Sequence, residues 1–428
     1  MEIELIYGKG LLKADIPEEN VSAVYRKTKM PPVMDPDRAV SDSLANPIGS
    51  KRLGEIAGPG DSVCIVINDI TRPVPNKLIL PHIIGELTGA GVGKQDIFIL
   101  NATGTHRPNL EAEIVELVGE EIAASFRFEN HDAFNDDEHM YAGTTKDGTE
   151  VFLDRRYMQA DVKILTGLIE PHFMAGYSGG RKALCPGCAS IRTIHRIHSP
   201  RFMEDENATN CELFSNPLHL ELLEICGMAG VDFIVNVVID EKRELCGVFS
   251  GHYDRAHIEG VKFVRQFDEI PAAESVEIVI TSSAGYPLDK TYYQTVKGMV
   301  GALNLVKTGG TIIIASECSE GMGNDTFVKC LRKLSEFDDL DEYVQYLSVY
   351  HNFVPDQWQA EKLAESLRKA EIMLVTNGIP EKDLPLTHAT PMKTVEEAVA
   401  RALHIHGPQA RIAVIPEGPY VIPTIAKR

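Results

Sequence analysis

Residues 161–200, DVKILTGLIEPHFMAGYSGGRKALCPGCASIRTIHRIHSP, decide how this chain is to be read. Val162, Ile164, Leu165, Leu168 and Ile169 make an apolar run with the length and β-branched content of a buried strand. The run ends in Glu170-Pro171-His172, which places a titratable ring just past a strand's carboxyl end. The small-residue turn that follows includes Ser178 and the adjacent glycines Gly179 and Gly180, and it delivers Arg181 and Lys182. Without Cβ atoms, the two glycines let the backbone approach a bulky group closely. A short helical segment carrying His195 and His198, three apart on neighbouring faces, closes the stretch before Pro200.

Each of these features also has an ordinary explanation. A lone histidine is usually a core or surface residue, a diglycine usually a turn, and a lysine usually solvated. A phosphate loop requires four residues between its glycines, whereas Gly176 and Gly180 are separated by three and Arg181 precedes Lys182, so that reading fails on spacing. Cys185 and Cys188 have C-x-x-C spacing but no second pair at zinc-finger distance and no thioredoxin-like frame, so both are read as packing residues.

Upstream, the strand at 61–68 ends in Asp69-Ile-Thr-Arg72, and a second strand at 96–101 ends in Ala102-Thr-Gly-Thr-His106-Arg107. A helical pattern follows each, the second over 110–122. Strand–helix alternation predicts an α/β protein built on mainly parallel sheets. Ligands of such sheets bind outside the strands' carboxyl ends. Three strand ends carrying Asp69 and Arg72, His106 and Arg107, and Glu170 and His172 therefore predict one polar pocket.

Downstream, 232–240 and 244–250 read as strands, with a hairpin as one arrangement, and 254–268 as a helix. The rhythm restarts at Val276, after a break near 269–275. It continues through a strand at 311–315, helices at about 324–347 and 357–369, a strand at 371–376, a helix at 393–405 and a strand at 411–415. Two α/β domains are expected, 1–270 and 271–407, with the tail 408–428 packing back on the first. Gln294 and Lys297, three apart at a helix start, are candidates to face an active-site cleft between the two; the ordinary reading of the second unit is a docking domain.

The composition sets limits. At 428 residues the chain exceeds one core, and its 44% apolar and 24% charged content is that of a globular protein. A formal net charge of −20 argues against nucleic acid or anionic membranes as partners. An anionic ligand then needs a local cluster of Arg and Lys. The start, MEIELIYGKG, does not read as a signal peptide, and no apolar run reaches membrane-spanning length. Eight scattered cysteines are expected to be reduced thiols of a cytoplasmic protein.

Seven motifs stand in order: Asp-x-Thr-Arg-Pro-x-Pro at 69–75, Gly-x-His-Arg-Pro at 104–108, His-Phe-x-Ala-Gly-x-Ser-Gly-Gly-Arg-Lys at 172–182, His-Ser at 198–199, Gly-Tyr-Pro-Leu-Asp at 285–289, Tyr-Gln-x-Val-Lys-Gly-Met at 293–299 and Pro-Asp-Gln-Trp at 355–358. Each alone is weak; together, and spanning essentially the full length, the set resembles the lactate racemase family. The resemblance implies a nickel-pincer nucleotide, a pyridinium-3,5-bisthiocarboxylic acid mononucleotide, attached to Lys182, with nickel held by His198. It implies His106 and His172 as acid and base, and Arg72 and Lys297 as holders of a substrate carboxylate. Asp69, Ser178, Gly179 and Gly180 fall at cofactor positions, and Tyr293, Gln294 and Trp358 at substrate positions. His195 matches no family position and reads as supporting or structural. The implied partners are a small anionic 2-hydroxy acid and the enzymes that mature the cofactor; the oligomeric state is not indicated.

Elementary chemistry agrees with these roles. The hydrogen on carbon 2 of a 2-hydroxycarboxylate is a poor acid, and its removal as hydride to an electron sink avoids a carbanion. Racemisation treats both hands alike, so two bases in mirrored positions are required, and imidazoles titrating near neutrality suit that task. Sulfur donors with one imidazole in a planar arrangement suit nickel. Competing readings are a racemase or epimerase of another 2-hydroxy acid (malate, an aromatic lactate or a sugar acid), a zinc hydrolase or lyase using His106, His172 and His198, and a non-catalytic nucleotide-binding protein.

Overall fold

Alternation of apolar strands with amphipathic helices produces two six-stranded sheets in the computed structural model, which describes residues 1–425. The strands of the first run in the order Leu245–Gly251, Phe233–Ile239, Val162–Leu168, Val63–Asn68, Ile97–Ala102 and Arg127–Asn130. All neighbours are parallel except the antiparallel pair Phe233–Ile239 and Leu245–Gly251. The central strands are buried on both faces, which is why they read as continuous apolar runs. Ile65, Ile67, Ile99 and Ile164 pack with Ile79, Leu80, Ile83 and Leu87 of the helix Asn76–Gly89 in one core. Full burial of each such side chain contributes about 1.5–3 kcal/mol.

The second sheet has the order Thr390–Met392, Ala370–Val375, Val306–Ala315, Val276–Ser282, Ile412–Ile415 and Val21–Val24, and it is parallel throughout. Its core includes Ile278, Ile280, Ile313, Val399 and Val414.

The chain divides into one unit of 29–198 with 207–266 and another of 1–28 with 199–206 and 267–428. A break near 267 lies close to the expected one, but residues 1–28 belong with the C-terminal half instead of the expected 1–270 domain. The reason is pairing: Val21–Val24 adds to Ile412–Ile415, and the antiparallel ribbon Glu2–Tyr7 with Gly10–Asp15 contributes Ile3, Leu5, Ala14 and Ile16 to the second core. The tail also differs from expectation. Ile422–Ile425 pairs with Glu269–Ala272 inside the second unit, and 426–428 lie outside the described residues.

Two expected helices are each broken. The pattern at 110–122 becomes Glu111–Val118 and Glu120–Ser125, interrupted by Gly119 at φ +86°. That at 324–347 becomes Asp325–Leu334 and Leu340–Leu347, the second starting where the Asp339 side chain accepts from the Asp341 N–H. Among the described residues no helix is long and apolar enough to cross a membrane.

Candidate active site

The strand order of the first sheet reverses between Val63–Asn68 and Val162–Leu168, since the chain builds outward from the former in one direction and then resumes on its other side. The crevice beyond the carboxyl ends at such a reversal is where α/β sheets bind ligands. Asp69 and Arg72 follow one of these strands and His172 the other, while His106 follows the adjacent Ile97–Ala102.

Asp69 is buried and His106 exposed, and His106 Nδ1 lies 2.7 Å from Asp69 Oδ2. A carboxylate accepts, so Nδ1 carries the proton and Nε2 the lone pair. Thr71 Oγ1 donates to the other carboxylate oxygen at 2.7 Å. Burial alone raises the Asp69 carboxyl, yet His106, Thr71 and Arg72 together hold it below its ordinary value. The ionised carboxylate fixes the His106 tautomer and the orientation of its ring, presenting the Nε2 lone pair. The main chain of this loop is fastened by Gly104 N–H to Gly187 O at 2.9 Å, within the Cys185–Cys188 turn. Both cysteines are buried and burial pushes their thiols up, consistent with packing roles. Arg72 is exposed at the same strand end.

His172 opens a two-residue antiparallel pairing of 171–172 with 176–177. Its Nδ1 accepts from the N–H groups of Met174 at 3.2 Å and Ala175 at 3.1 Å. Ser178 Oγ donates to Leu168 O at 2.6 Å and accepts from Glu170 N–H at 3.0 Å, so its side chain anchors the turn to the strand end. Gly179 has φ +115°, and a Cβ there would stand 2.8 Å from His257 Cδ2. At Gly180 the N–H donates to Asn236 Oδ1 at 2.8 Å, on the neighbouring strand. Together these contacts seat Lys182, half-buried, in the first turn of the helix Arg181–Leu184.

His198 caps the helix Ile191–Ile197 instead of lying within it. Its Nδ1 donates to Ile194 O at 2.9 Å, which leaves the lone pair on Nε2. Burial, followed by the charge of Lys182, pushes its pKa down to about 4, so the ring is neutral, as a metal ligand must be. His195 is buried within the helix, and burial lowers its pKa too. Among the described residues no group of three or more His, Cys, Asp or Glu is placed to hold a metal by itself.

The other candidates belong to the second unit. Tyr293, Gln294 and Lys297 lie half-buried on the helix Tyr292–Ala302, which follows the strand Val276–Ser282. Trp358 is buried on Gln357–Lys369. Gln359 Nε2 donates to Tyr293 O at 2.7 Å, and the Tyr293 hydroxyl donates to Asp356 Oδ1 at 3.0 Å, which ties the starts of the two helices together. Gln294 Oε1 is buried with no hydrogen-bond partner among the described residues, a polar atom suited to a ligand's donor.

Sequence reasoning missed the support behind the diglycine. Arg181 is wholly buried; it donates to His257 Nε2 at 2.8 Å and to the carbonyls of Ala175 at 3.1 Å and Tyr177 at 2.8 Å. Asn236, polar in the middle of FIVNVVI, was a visible signal; His257, remote in sequence, left none. The rings of His219 and His257 stack at 6.1 Å. Burial, then the charges of Arg181 and His257, push His219 down to about 2, and His257 is likewise held low by burial and Arg181. Both rings fold neutral, so below the ordinary histidine value of about 6.5 the unfolded chain binds more protons and stability falls with pH. Each ring is expected to remove about 2 kcal/mol between pH 7 and about pH 5. Urea unfolding at both pH values tests this, and His219→Leu should recover about 2 kcal/mol of the difference. An unchanged difference rejects the assignment.

The first sheet's strand ends carry a carboxylate-oriented imidazole, His106, and a second imidazole, His172, and the same unit holds Lys182 and the neutral, buried His198; comparison with known proteins identifies the family. Residues 7–210 match the lactate racemase N-terminal domain and 271–423 the lactate racemase C-terminal domain. The chain is 34% identical over 422 residues to a lactate racemase of Thermoanaerobacterium thermosaccharolyticum, covering 98% of each. It is 34% identical over 424 residues to one of Lactiplantibacillus plantarum, covering 98% of this chain and 99% of that protein. The structure of the lactate racemase apoprotein from T. thermosaccharolyticum superposes with a TM-score of 0.91 at 35% identity over 100% of both chains. A Thermotoga maritima protein shares the fold at a TM-score of 0.66 and 18% identity, over 94% of this chain and 100% of its own. With both halves matched in order and relatives aligned over nearly its full length, the chain belongs to the lactate racemase family and is an isomerase, a racemase.

Proposed function

We propose that this racemase interconverts the two hands of a small 2-hydroxy acid, lactate foremost, and that it works with a nickel-pincer nucleotide attached to Lys182. The observation that carries the reading is the pair of strand-end imidazoles, His106 backed by Asp69 and His172 by the turn, beside the Lys182 seat. The residues fit the group. The diglycine gives a backbone a close approach, His198 offers one neutral nitrogen donor, and a metal already held by carbon and sulfur needs only one protein ligand. When bound, the cofactor supplies the electron sink that accepts hydride from carbon 2.

The protein supplies the rest. Arg72 and Lys297 are assigned to the substrate carboxylate on their motif positions, giving an acidic chain its local positive charge. Gln294, Tyr293 and Trp358 are assigned to substrate binding on their motif positions. His106 Nε2 takes the hydroxyl proton on one face, and His172 serves the opposite face. Asp69 stabilises the His106 imidazolium that forms.

The test uses protein produced together with the cofactor maturation enzymes. Intact mass reads the covalent adduct, and loss of optical activity from pure enantiomers of lactate, malate, aromatic lactates and sugar acids reads the substrate. A loaded protein that leaves every one of these optically unchanged refutes the proposal. Metal content gives a second check: His198→Ala should lose nickel or bind it far more weakly, whereas His195→Ala should retain it. Equal nickel in the two purified variants overturns the ligand assignment.

A further inference from the structure

The hydrogen bonds at the two candidate bases have opposite polarity. His106 Nδ1 faces a carboxylate, which only accepts, so its proton sits on Nδ1 and its lone pair on Nε2. His172 Nδ1 faces the N–H groups of Met174 and Ala175, which only donate, so its lone pair sits on Nδ1 and the neutral ring carries its proton on Nε2. The donors at His172 are themselves fixed. The Met174–Ala175 peptide is held at both ends: its N–H meets His172, while its carbonyl accepts from Asn216 Nδ2 at 2.8 Å. Asn216 is wholly buried and also caps the helix Pro217–Ala229, its Oδ1 accepting from Leu218 and His219 N–H. The next carbonyl, Ala175 O, accepts from the buried Arg181 guanidinium at 3.1 Å.

We propose that the 173–177 turn, pinned by Asn216 and Arg181, is a tautomer lock that holds His172 as a hydrogen-bond donor at Nε2 while Asp69 holds His106 as an acceptor at Nε2. Asn216 and Arg181 are thus positioning residues acting through His172. The resting protein is asymmetric: a hydroxyl proton passes first to His106, its O–H bond breaking as Nε2–H forms and the O–H electron pair closing a carbonyl as the C–H bond at carbon 2 breaks and its hydride leaves for the electron sink that the bound cofactor would supply. For His172 to serve as base, a water must deliver a proton to Nδ1 while another removes one from Nε2, with no net change, and both amides must turn away. The catalytic meaning rests on the two-histidine racemase reading; the lock itself does not.

Long-range ¹H–¹⁵N spectra of the full chain labelled at histidine, recorded about two pH units above the ordinary histidine value of about 6.5, read each tautomer directly. His106→Gln and His172→Gln identify their signals among the 14 histidines, and exposed His404 serves as an internal reference. His106 should be the Nδ1–H form and His172 the Nε2–H form, each in roughly tenfold excess or more. Asn216→Asp keeps the helix cap and removes the Nδ2 donor to Met174 O, and with it the 3.2 Å bond to Glu212 O; it should bring His172 to the tautomer mixture of His404 and leave His106 unchanged. Arg181→Met should act in the same direction if the first variant does not fold. His172 as Nδ1–H, or a His172 signal indifferent to both variants, overturns the lock. These spectra need no cofactor, so a lock found in a protein that racemises nothing would discard the racemase reading and keep this one.

Discussion

Removal of either His106 or His172 as alanine should lower racemisation on the order of 10²–10⁴-fold, the usual contribution of a general acid or base. Each ring is needed in both directions, because the 2-oxo acid formed by proton loss on one face must be reprotonated from the other. The losses should not be equivalent in kind. Without His106, the isomer whose hydroxyl faces His172 can still be oxidised once; without His172, the other isomer can. Single-turnover oxidation of each pure enantiomer by each loaded variant should therefore give complementary preferences. Full racemisation after loss of either histidine would rule out two bases. The motivation is structural as well as chemical, since the rings follow the two strands that flank Val63–Asn68 and both are oriented through Nδ1.

Lys182→Ala should have the largest effect of all: no covalent adduct by intact mass, and turnover at background. No other lysine lies in the diglycine turn, and the side chain is only half-buried, so its loss leaves no large cavity. Thermal unfolding of the cofactor-free variant should accordingly stay close to that of the parent. Lys182→Arg sharpens the test. It keeps a positive charge near His198 but removes the amine that an acyl group can join, and it should also remain unmodified. A mass increment persisting in either variant would move the attachment elsewhere.

The central strands of both sheets were legible because burial on both faces turns them into unbroken apolar runs, as in VCIVIN and TIIIA. The candidate bases were picked out for a related reason: His106 and His172 stand just past such runs, where a polar ring has no packing task. Other features were hidden by distance in the chain. Val21–Val24 is short and half-exposed, and only its partner Ile412–Ile415 makes it a strand. Asn216 reads locally as a helix cap, which it is; that the same carboxamide also holds the turn at Met174 depends on a contact across 42 residues. The bonding of His106 to Asp69 spans 37 residues and was equally invisible to local pattern. Seven motifs in order supplied what periodicity could not.

The chain's passage between its two units bears on how this protein can be cut, joined or inherited. It changes unit after 28, 198, 206 and 266, so neither unit is one continuous piece of gene product. A fragment beginning at 271 would lack the Val21–Val24 strand and bare the backbone donors and acceptors of Ile412–Ile415, an invitation to stacking between copies. It would also lack Glu269 and Ile270, which pair with Ile422 and Pro423. Exchange of halves between relatives by a single recombination point should therefore yield insoluble product, whereas an exchange that carries residues 1–28 along with the C-terminal part keeps every strand with its neighbour.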